Sequence, residues 1–336
     1  MNNFRFVIVG SGNISNTYCN AIDKLEAIDI VGVVSRSGNK PKALEPRDDV
    51  EVAPTISQIT KDFDAVILCT PNGYHHKGAI EAADLGKHVL TEKALDISMD
   101  AMDTIINSCK ENGVRLGVAY QRRMSPDNQI IKEIIDSGQL GTIFSVDLRV
   151  KNYRDQAYYD SSPYRGTWEI DGGGCFIQQA AHYIDLYSWF FGIPNQVISA
   201  LGTFTHDIEV EDHGAVLLRH EDGKIGTIIA STATKPGFDA RFEIHSDKGT
   251  VILENDIITQ WSIDGLSNPS KSQSMEIHSG ASSASVSDTS GHEAIITDFV
   301  NAVRERREPV VSGNAARLAT ELILKIYNNT IEKKCN

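Results

Sequence analysis

The sequence predicts an α/β protein in two parts: an N-terminal doubly wound parallel sheet and a C-terminal α+β domain with a large open, mostly antiparallel sheet. Three observations predict it. Short apolar runs alternate with helical stretches as far as Ala119. A glycine-rich turn stands between the first run and the first helix. From Thr142 onward the pattern changes to strands of alternating polarity, with hairpin signals at Asp222-Gly223 and Asp247-Lys248-Gly249. The 336 residues suffice for two cores, and the boundary is placed after Gln121, giving 1–121 and 122–336.

Bulk properties exclude several classes. The net charge of −13 argues against nucleic acid and anionic membranes as partners. No apolar run approaches the roughly 18 residues of a membrane span. A strand begins almost at the N-terminus, so no leader is expected. The five cysteines, at 19, 69, 109, 175 and 335, are scattered and show no metal-ligand spacing. They read as reduced thiols of a cytoplasmic protein without a metal. Ser267–Ser290, rich in Ser, Gly and Ala, reads as a mobile loop.

Phe4–Val9 is an apolar run of strand type, followed by Gly10-Ser11-Gly12-Asn13-Ile14-Ser15 and a helix to about Glu26. Strand, glycine turn and helix form the dinucleotide-binding context of a Rossmann domain. Gly10 permits the tight turn, and Gly12 lets backbone N–H groups approach a pyrophosphate at the helix N-terminus. Asn13 and Ile14 fall in that first turn, and Ser15 replaces the usual third Gly or Ala. The second strand, Asp29–Val34, ends in Ser35-Arg36-Ser37 with no acid for a ribose 2′-hydroxyl. Those three residues either hold a 2′-phosphate, which favours NADP slightly over NAD, or form a solvated surface. Asp64–Thr70 is a buried-type strand running into Pro71-Asn72-Gly73-Tyr74-His75. Ligands bind beyond the carboxyl ends of such strands, so Thr70, Pro71, Asn72 and His75 are candidate cofactor residues. His88–Thr91 leads into Glu92-Lys93, which places Lys93 at a strand end, as a reactive group or as a surface lysine capping the sheet. A helix over Ser98–Asn112 and a strand over Val114–Ala119 complete five or six strands.

In the second half, Pro126–Ser137 reads as a helix with Ile130, Ile134 and Ile135 inward. Thr142–Tyr153 alternates as a strand. Further strands are Gln196–Phe204, Ala215–Arg219, Ile225–Ser231, Ala240–His245 and Thr250–Leu253, and two helices close the chain at His292–Glu305 and Ala315–Asn329. Between them, Gly172-Gly173-Gly174 opens a helical run that puts Gln178, His182, Asp185 and Trp189 on one stripe. His182 there is a site residue or a buried histidine satisfied by hydrogen bonds.

An ordered set of motifs resembles the glucose–fructose oxidoreductase, inositol dehydrogenase and rhizopine-catabolism family, Gfo/Idh/MocA. The set runs through the glycine turn, Cys69-Thr70-Pro71-Asn72 with His75, Gly86-Lys87-His88-Val89-Leu90 with Glu92-Lys93, and Tyr120-Gln121-Arg122-Arg123. It continues through Ser137-Gly138 with Leu140-Gly141 and Gly172-Gly173-Gly174 with His182 and Asp185, to His292 and Asp298-Phe299. It covers nearly the whole chain. The resemblance implies an NAD(P)-dependent oxidoreductase acting on CH–OH groups. It implies a sheet that covers the nicotinamide on one face and makes a homodimer or homotetramer interface with the other. Lys93 and His182 correspond to the residues that flank the substrate, His182 as proton acceptor and Lys93 orienting the hydroxyl, or with these roles exchanged. Ala94 stands where the family has Pro, and a trans peptide is expected there, because cis bonds away from proline cost ~3 kcal/mol.

Gln178 replaces the Asp that inositol dehydrogenases of the family carry four residues before the histidine. An amide hydrogen-bonds but takes no proton, which shifts the expected substrate from inositol to a sugar or nucleotide-sugar. The stretch Lys151–Trp168 is dense in Lys, Arg, Tyr and Trp, suited to a polyhydroxylated anion or to a subunit contact. Candidate substrate residues are therefore Gln121, Arg122, Lys151, Arg154, Tyr159, Arg165, Trp168, Gln178 and Asp185. One of Arg122 and Arg123 is expected to pair with acids of the second domain. The alternatives are an inositol or polyol dehydrogenase, an NAD-retaining lyase or glycosidase, and a non-catalytic NAD(P)-binding regulator.

Overall fold

The computed structural model describes residues 3–271 and 288–331. The Ser-rich loop expectation therefore falls mostly outside the described residues. Strands β1 (Phe4–Val9), β2 (Ile28–Val34), β3 (Glu51–Ala53), β4 (Ala65–Leu68), β5 (His88–Thr91) and β6 (Leu116–Val118) form one sheet in the order β3-β2-β1-β4-β5-β6. Every pairing is parallel. The connecting helices are α1 (Asn13–Ile22), α2 (His75–Asp84) and α3 (Met99–Glu111). All four residues of β4 are buried, as expected of a central strand covered on both faces. The order reverses between β1 and β4, the switch point at which open α/β sheets bind ligands. Ser98 caps α3 by accepting from the Ala101 N–H at 3.2 Å.

The second sheet contains β7 (Ile143–Lys151), β8 (Gln196–Gly202), β9 (His213–Arg219), β10 (Ile225–Ser231), β11 (Arg241–Ser246), β12 (Gly249–Glu254) and β13 (Ile257–Ile263). Its order is β13-β12-β11-β7-β10-β9-β8, antiparallel except where β7 meets β10. Strict alternation buries Val146, Leu148 and Val150 and turns Asp147, Arg149 and Lys151 to the opposite face. The helices of this part are α4 (Pro126–Asp136), α5 (Gln156–Asp160), α6 (Cys175–Gln178) and α7 (Ala181–Phe191). In α4 the buried stripe is Asp127, Asn128, Ile131 and Ile134, one residue round from the expected one. Asp127 accepts the Ile258 N–H at 2.8 Å and Asn128 donates to Asp256 at 2.9 Å, so polar anchors set the rotation.

Two further helices, α8 (Ser290–Glu305) and α9 (Gly313–Asn328), end the described chain. The chain forms two compact units, Met1–Gln121 with Val286–Arg317, and Arg122–Ser285 with Leu318–Asn336. Helix α8 thus belongs to the first unit, whereas the sequence boundary put it in the second. The reason is its apolar face: Phe299 packs on Phe6, ring centroids 6.2 Å apart, and a Cβ on Gly117 would lie 2.8 Å from its ring.

Candidate active site

In the first unit the expected cofactor residues gather at the carboxyl ends of β1, β2, β4 and β5. Gly10 follows β1 with φ +103°, and a Cβ there would lie 3.0 Å from the Cys69 carbonyl. Its N–H donates to Val34 O at 2.9 Å. Gly12 is the N-cap of α1 in an extended conformation, and a Cβ there would meet no protein atom. Neither φ nor protein packing requires glycine at this point, whereas close approach of a pyrophosphate does. Asn13 is exposed and Ile14 half-buried in the first turn. Ser15 is buried and its hydroxyl donates to Gly12 O at 2.5 Å, so the departure from Gly or Ala locks the turn. The hydroxyls of Ser11, Ser35 and Ser37 form a row, 3.4 and 3.1 Å apart, with exposed Arg36 between the last two.

Beyond β4, the Thr70 hydroxyl is buried without a hydrogen-bond partner among the described residues. An orphaned buried donor at the switch point fits a dinucleotide, since such groups are rarely left unmade. Pro71 is half-buried and Asn72 buried in the short 3-10 turn that enters α2. His75 has no exposed surface. Its ring nitrogens lie 2.8 Å from Ala94 O and 2.8 Å from Thr70 O. It offers no polar atom to a cofactor and instead ties the loop after β4 to the loop after β5. The Lys93–Ala94 peptide is cis, not trans as expected. Ala94 is buried and its carbonyl faces His75, a tertiary contact that local preference does not encode.

Glu92 is buried beside Lys93, which is half-buried. Tyr18 OH donates to Glu92 at 2.7 Å, the Lys93 N–H donates to it at 3.1 Å, and His292 Nε2 lies 3.8 Å away. Burial acts to raise the Glu92 carboxyl, but His292, Lys93 and Tyr18 together hold it below the usual range. Tyr18 and His292 were not foreseen in this role, because a tyrosine inside an apolar helix face reads as core. Gln121 is half-buried, with Oε1 lacking a hydrogen-bond partner among the described residues.

In the second unit the expected helix is broken. The Gln179 and Ala180 N–H groups both donate to Cys175 O, at 3.2 and 2.9 Å, and α7 starts afresh at Ala181. The added residue splits the stripe. Gln178, Gln179 and His182 remain half-exposed, whereas Asp185 turns fully inward. There Arg123 binds Asp185 bidentately at 2.7 and 2.6 Å, which leaves the carboxylate turned to a protein partner. Arg122 is neutralised by Asp256 and lies 4.3 Å over the Tyr183 ring. Lys151 takes the sheet face opposite the buried Val150. Tyr159 is buried, its hydroxyl 2.8 Å from Thr232 Oγ1 and its ring 4.8 Å from His206. Asp185, Arg122 and Tyr159 are thus held by partners within the protein, and Lys151 lies on the sheet face away from Val150.

Two expected residues do converge, around an unforeseen one. Arg165 lies 4.3 Å and Arg154 5.6 Å from the Tyr158 ring. Arg165 Nε is buried without a hydrogen-bond partner among the described residues. Burial lowers the Arg154 guanidinium, and Arg165 adds to that lowering. Gln179 Nε2 donates to Tyr158 OH at 3.3 Å, and Gln178 Nε2 to Asp171 O at 3.0 Å. Trp168 is 45% exposed, donates to Glu209 O at 3.2 Å and meets Tyr327 edge-on at 5.1 Å. Tyr158 had a signal, since it neighbours the cations in sequence, but its phase relative to Tyr159 needed the α5 cap, where Asp155 accepts its N–H at 3.0 Å. Among the described residues no group of His, Cys, Asp or Glu is placed to hold a metal ion, and no helix is long and apolar enough to cross a membrane.

Comparison with known proteins agrees with both units. Residues 4–120 match the oxidoreductase family with an NAD-binding Rossmann fold, and residues 128–252 match the Gfo/Idh/MocA C-terminal domain. The WlbA dehydrogenase of Bordetella pertussis, solved with NADH and UDP-GlcNAcA, is 30% identical with a TM-score of 0.84, covering 97% of this chain and 96% of that one. Inositol 2-dehydrogenase of Rhizobium meliloti is 26% identical over 75% of this chain and 76% of its own length. The NADP(+)-dependent scyllo-inositol 2-dehydrogenase of Bacillus subtilis is 26% identical over 69% and 63%. With the glycine turn, the Glu-Lys strand end and both domain matches in place, the chain belongs to the Gfo/Idh/MocA family of NAD(P)-binding oxidoreductases.

Proposed function

We propose that this protein is an NAD(P)-dependent dehydrogenase that oxidises a secondary hydroxyl of an anionic, nucleotide-linked sugar, or reduces the corresponding ketone. The observation that carries the reading is the pair Arg154 and Arg165 around Tyr158. Two cations at one aromatic ring, Arg165 with a buried Nε that lacks a hydrogen-bond partner among the described residues, suit a carboxylate or phosphate attached to a sugar. The likeness to a WlbA dehydrogenase solved with UDP-GlcNAcA supports the same class.

The residues of the first unit that would hold the cofactor are Gly10, Gly12, Asn13, Ile14, Ser35, Arg36, Ser37, Thr70, Pro71, Asn72 and Glu92. A nicotinamide supplies the hydride acceptor or donor. Lys93 orients the substrate hydroxyl, and Glu92 beneath it fixes the local charge. His182 accepts the hydroxyl proton, and Gln178 hydrogen-bonds the sugar without competing for that proton. Arg36, exposed between Ser35 and Ser37 with no acid beside it in sequence, favours NADPH over NADH. The sheet face bearing exposed Ile198, Leu217 and Ile225 is the surface we assign to a homodimer or homotetramer. The cytoplasm fits the four described cysteines, all free and buried.

The test is fluorescence titration with NADH and NADPH, then cofactor reduction with UDP-GlcNAcA, free sugars and inositols. Reduction with the anionic nucleotide-sugar is expected. Turnover of free inositol alone would overturn the substrate class, and no binding of either dinucleotide would overturn the enzyme reading.

A further inference from the structure

The three successive glycines Gly172–Gly174 lead into α6, and the reason for two of them lies in residues distant in sequence. A Cβ on Gly173 would collide with the Tyr327 hydroxyl, and one on Gly174 with the Glu211 carbonyl. Glu211 gathers three consecutive backbone donors. The Gly174 N–H donates to Oε2 at 2.9 Å, the Phe176 N–H to Oε1 at 3.1 Å, and the Cys175 N–H to the Glu211 carbonyl at 3.1 Å. Tyr327 OH donates to Oε1 at 3.1 Å. Glu211 is 4% exposed. The same Cys175 carries the two bonds that end α6 and set the start of α7.

We propose that Glu211 and Tyr327 are positioning residues: they latch Gly174–Phe176, hold Gln178 and His182 in register, and loosen that hold when the buried Glu211 gives up its proton. The Gly174 and Phe176 N–H groups and the Tyr327 hydroxyl do not fully replace the water lost from the carboxylate, so ionisation favours an opening that returns Glu211 to water. The titratable groups facing Glu211 are Tyr327 from α9, Cys175 from α6 and the neighbouring Asp212, which has its own donors in the Phe204 and Thr205 N–H groups and His206. Burial pushes the Glu211 carboxyl up to about 7, against the pull of the Phe176 and Gly174 N–H groups. The positioning role rests on the function proposed above; the latch does not.

Hydrogen exchange of the 174–176 amides in the ligand-free protein, corrected for chemical exchange, tests the latch. Exchange is expected to rise about tenfold as pH rises from about 5 to about 7. Glu211→Gln is expected to abolish this step. Tyr327→Phe, which removes one donor to the carboxylate, is expected to move the step to higher pH. No step in the native protein, or a step that survives in Glu211→Gln, overturns the latch, and Tyr327→Phe decides the matter if Glu211→Gln fails to fold. In turnover of UDP-GlcNAcA, KM is expected to rise across the same pH step with the Kd for NADH unchanged. A latch that opens with KM constant overturns the positioning role. No turnover with any sugar overturns the preceding function and leaves the exchange result to stand by itself.

Discussion

Arg123 grips Asp185 in a bidentate ion pair, Nε to Oδ2 at 2.7 Å and Nη2 to Oδ1 at 2.6 Å, with the two side chains 2% and 0% exposed. Burial pushes the Asp185 carboxyl up to about 6 despite its partner, so it is ionised only above that pH. A carboxyl raised from its unfolded value contributes stability that is present below the unfolded pKa and lost as pH rises to the folded one. In the native protein that loss is complete near pH 6. Arg123→Met removes the counter-charge and prolongs the loss into alkaline pH, costing about 3–5 kcal/mol at pH 8. Adding Asp185→Leu should restore most of it. Urea denaturation at several pH values checks this, and a double variant no more stable than Arg123→Met would refute the pair as the cause.

The buried carboxylate of Glu92 behaves in the opposite sense. Its pKa is held down, so its contribution is present above the unfolded value and lost as pH falls through the folded one. Tyr18→Phe deletes the 2.7 Å donor and should cost about 1–3 kcal/mol at neutral pH. The deficit should shrink in acid, where Glu92 is protonated in both proteins. Equal deficits above and below the pH at which Glu92 titrates would mean that the hydroxyl matters only for packing.

Much of the first unit was legible because its residues act through local backbone rules. Gly10 needs a positive φ, Gly12 sits where strand turns to helix, and β4 is apolar throughout because both faces are covered. The departures come from long-range partners. Nothing near Tyr18 announces Glu92, and nothing near α8 announces that Phe299 packs on Phe6. In the second unit the expected single stripe is divided, with Gln178 and His182 half-exposed and Asp185 buried, because the bonds from Gln179 and Ala180 to Cys175 break the period. Beside that break Glu211, backed by Tyr327, grips the glycine turn, a contact no periodicity carries. Likewise Tyr158 and Tyr159 are equivalent in the sequence until the Asp155 cap sets the rotation of α5.

Arg165 provides the direct test of the anionic substrate. Its guanidinium stacks on Tyr158 and has a buried Nε free to bind a ligand oxygen. Losing one hydrogen bond to a charged group is worth about 1.5–3 kcal/mol, so Arg165→Leu should raise KM for UDP-GlcNAcA by roughly 10- to 100-fold. Turnover of an uncharged sugar and affinity for NADH should change little. A uniform loss across charged and neutral substrates would place Arg165 in the framework of the loop instead.

Arg36 tests cofactor choice in the same way. Arg36→Asp should weaken NADPH by about tenfold or more, since a charge-assisted contact with the 2′-phosphate becomes a repulsion. NADH should be unaffected or slightly favoured, because an acid there can accept from the ribose hydroxyl. Fluorescence titration of the stripped protein decides it, and parallel changes for both dinucleotides would remove Arg36 from the phosphate site.

Lys93 carries the last prediction. It follows a buried carboxylate and precedes a buried Ala94 whose carbonyl is tied to His75, so its backbone is fixed on both sides. Lys93→Met keeps the length of the side chain and removes the ammonium. If that group orients and polarises the substrate hydroxyl, kcat should fall by a factor on the order of 10² or more, while the Kd for the dinucleotide stays nearly constant. Lys93→Arg should recover little, because a planar guanidinium does not reproduce a compact ammonium at a hydroxyl. Unchanged kcat in Lys93→Met would return the lysine to a surface role and leave the proton transfer to His182 alone.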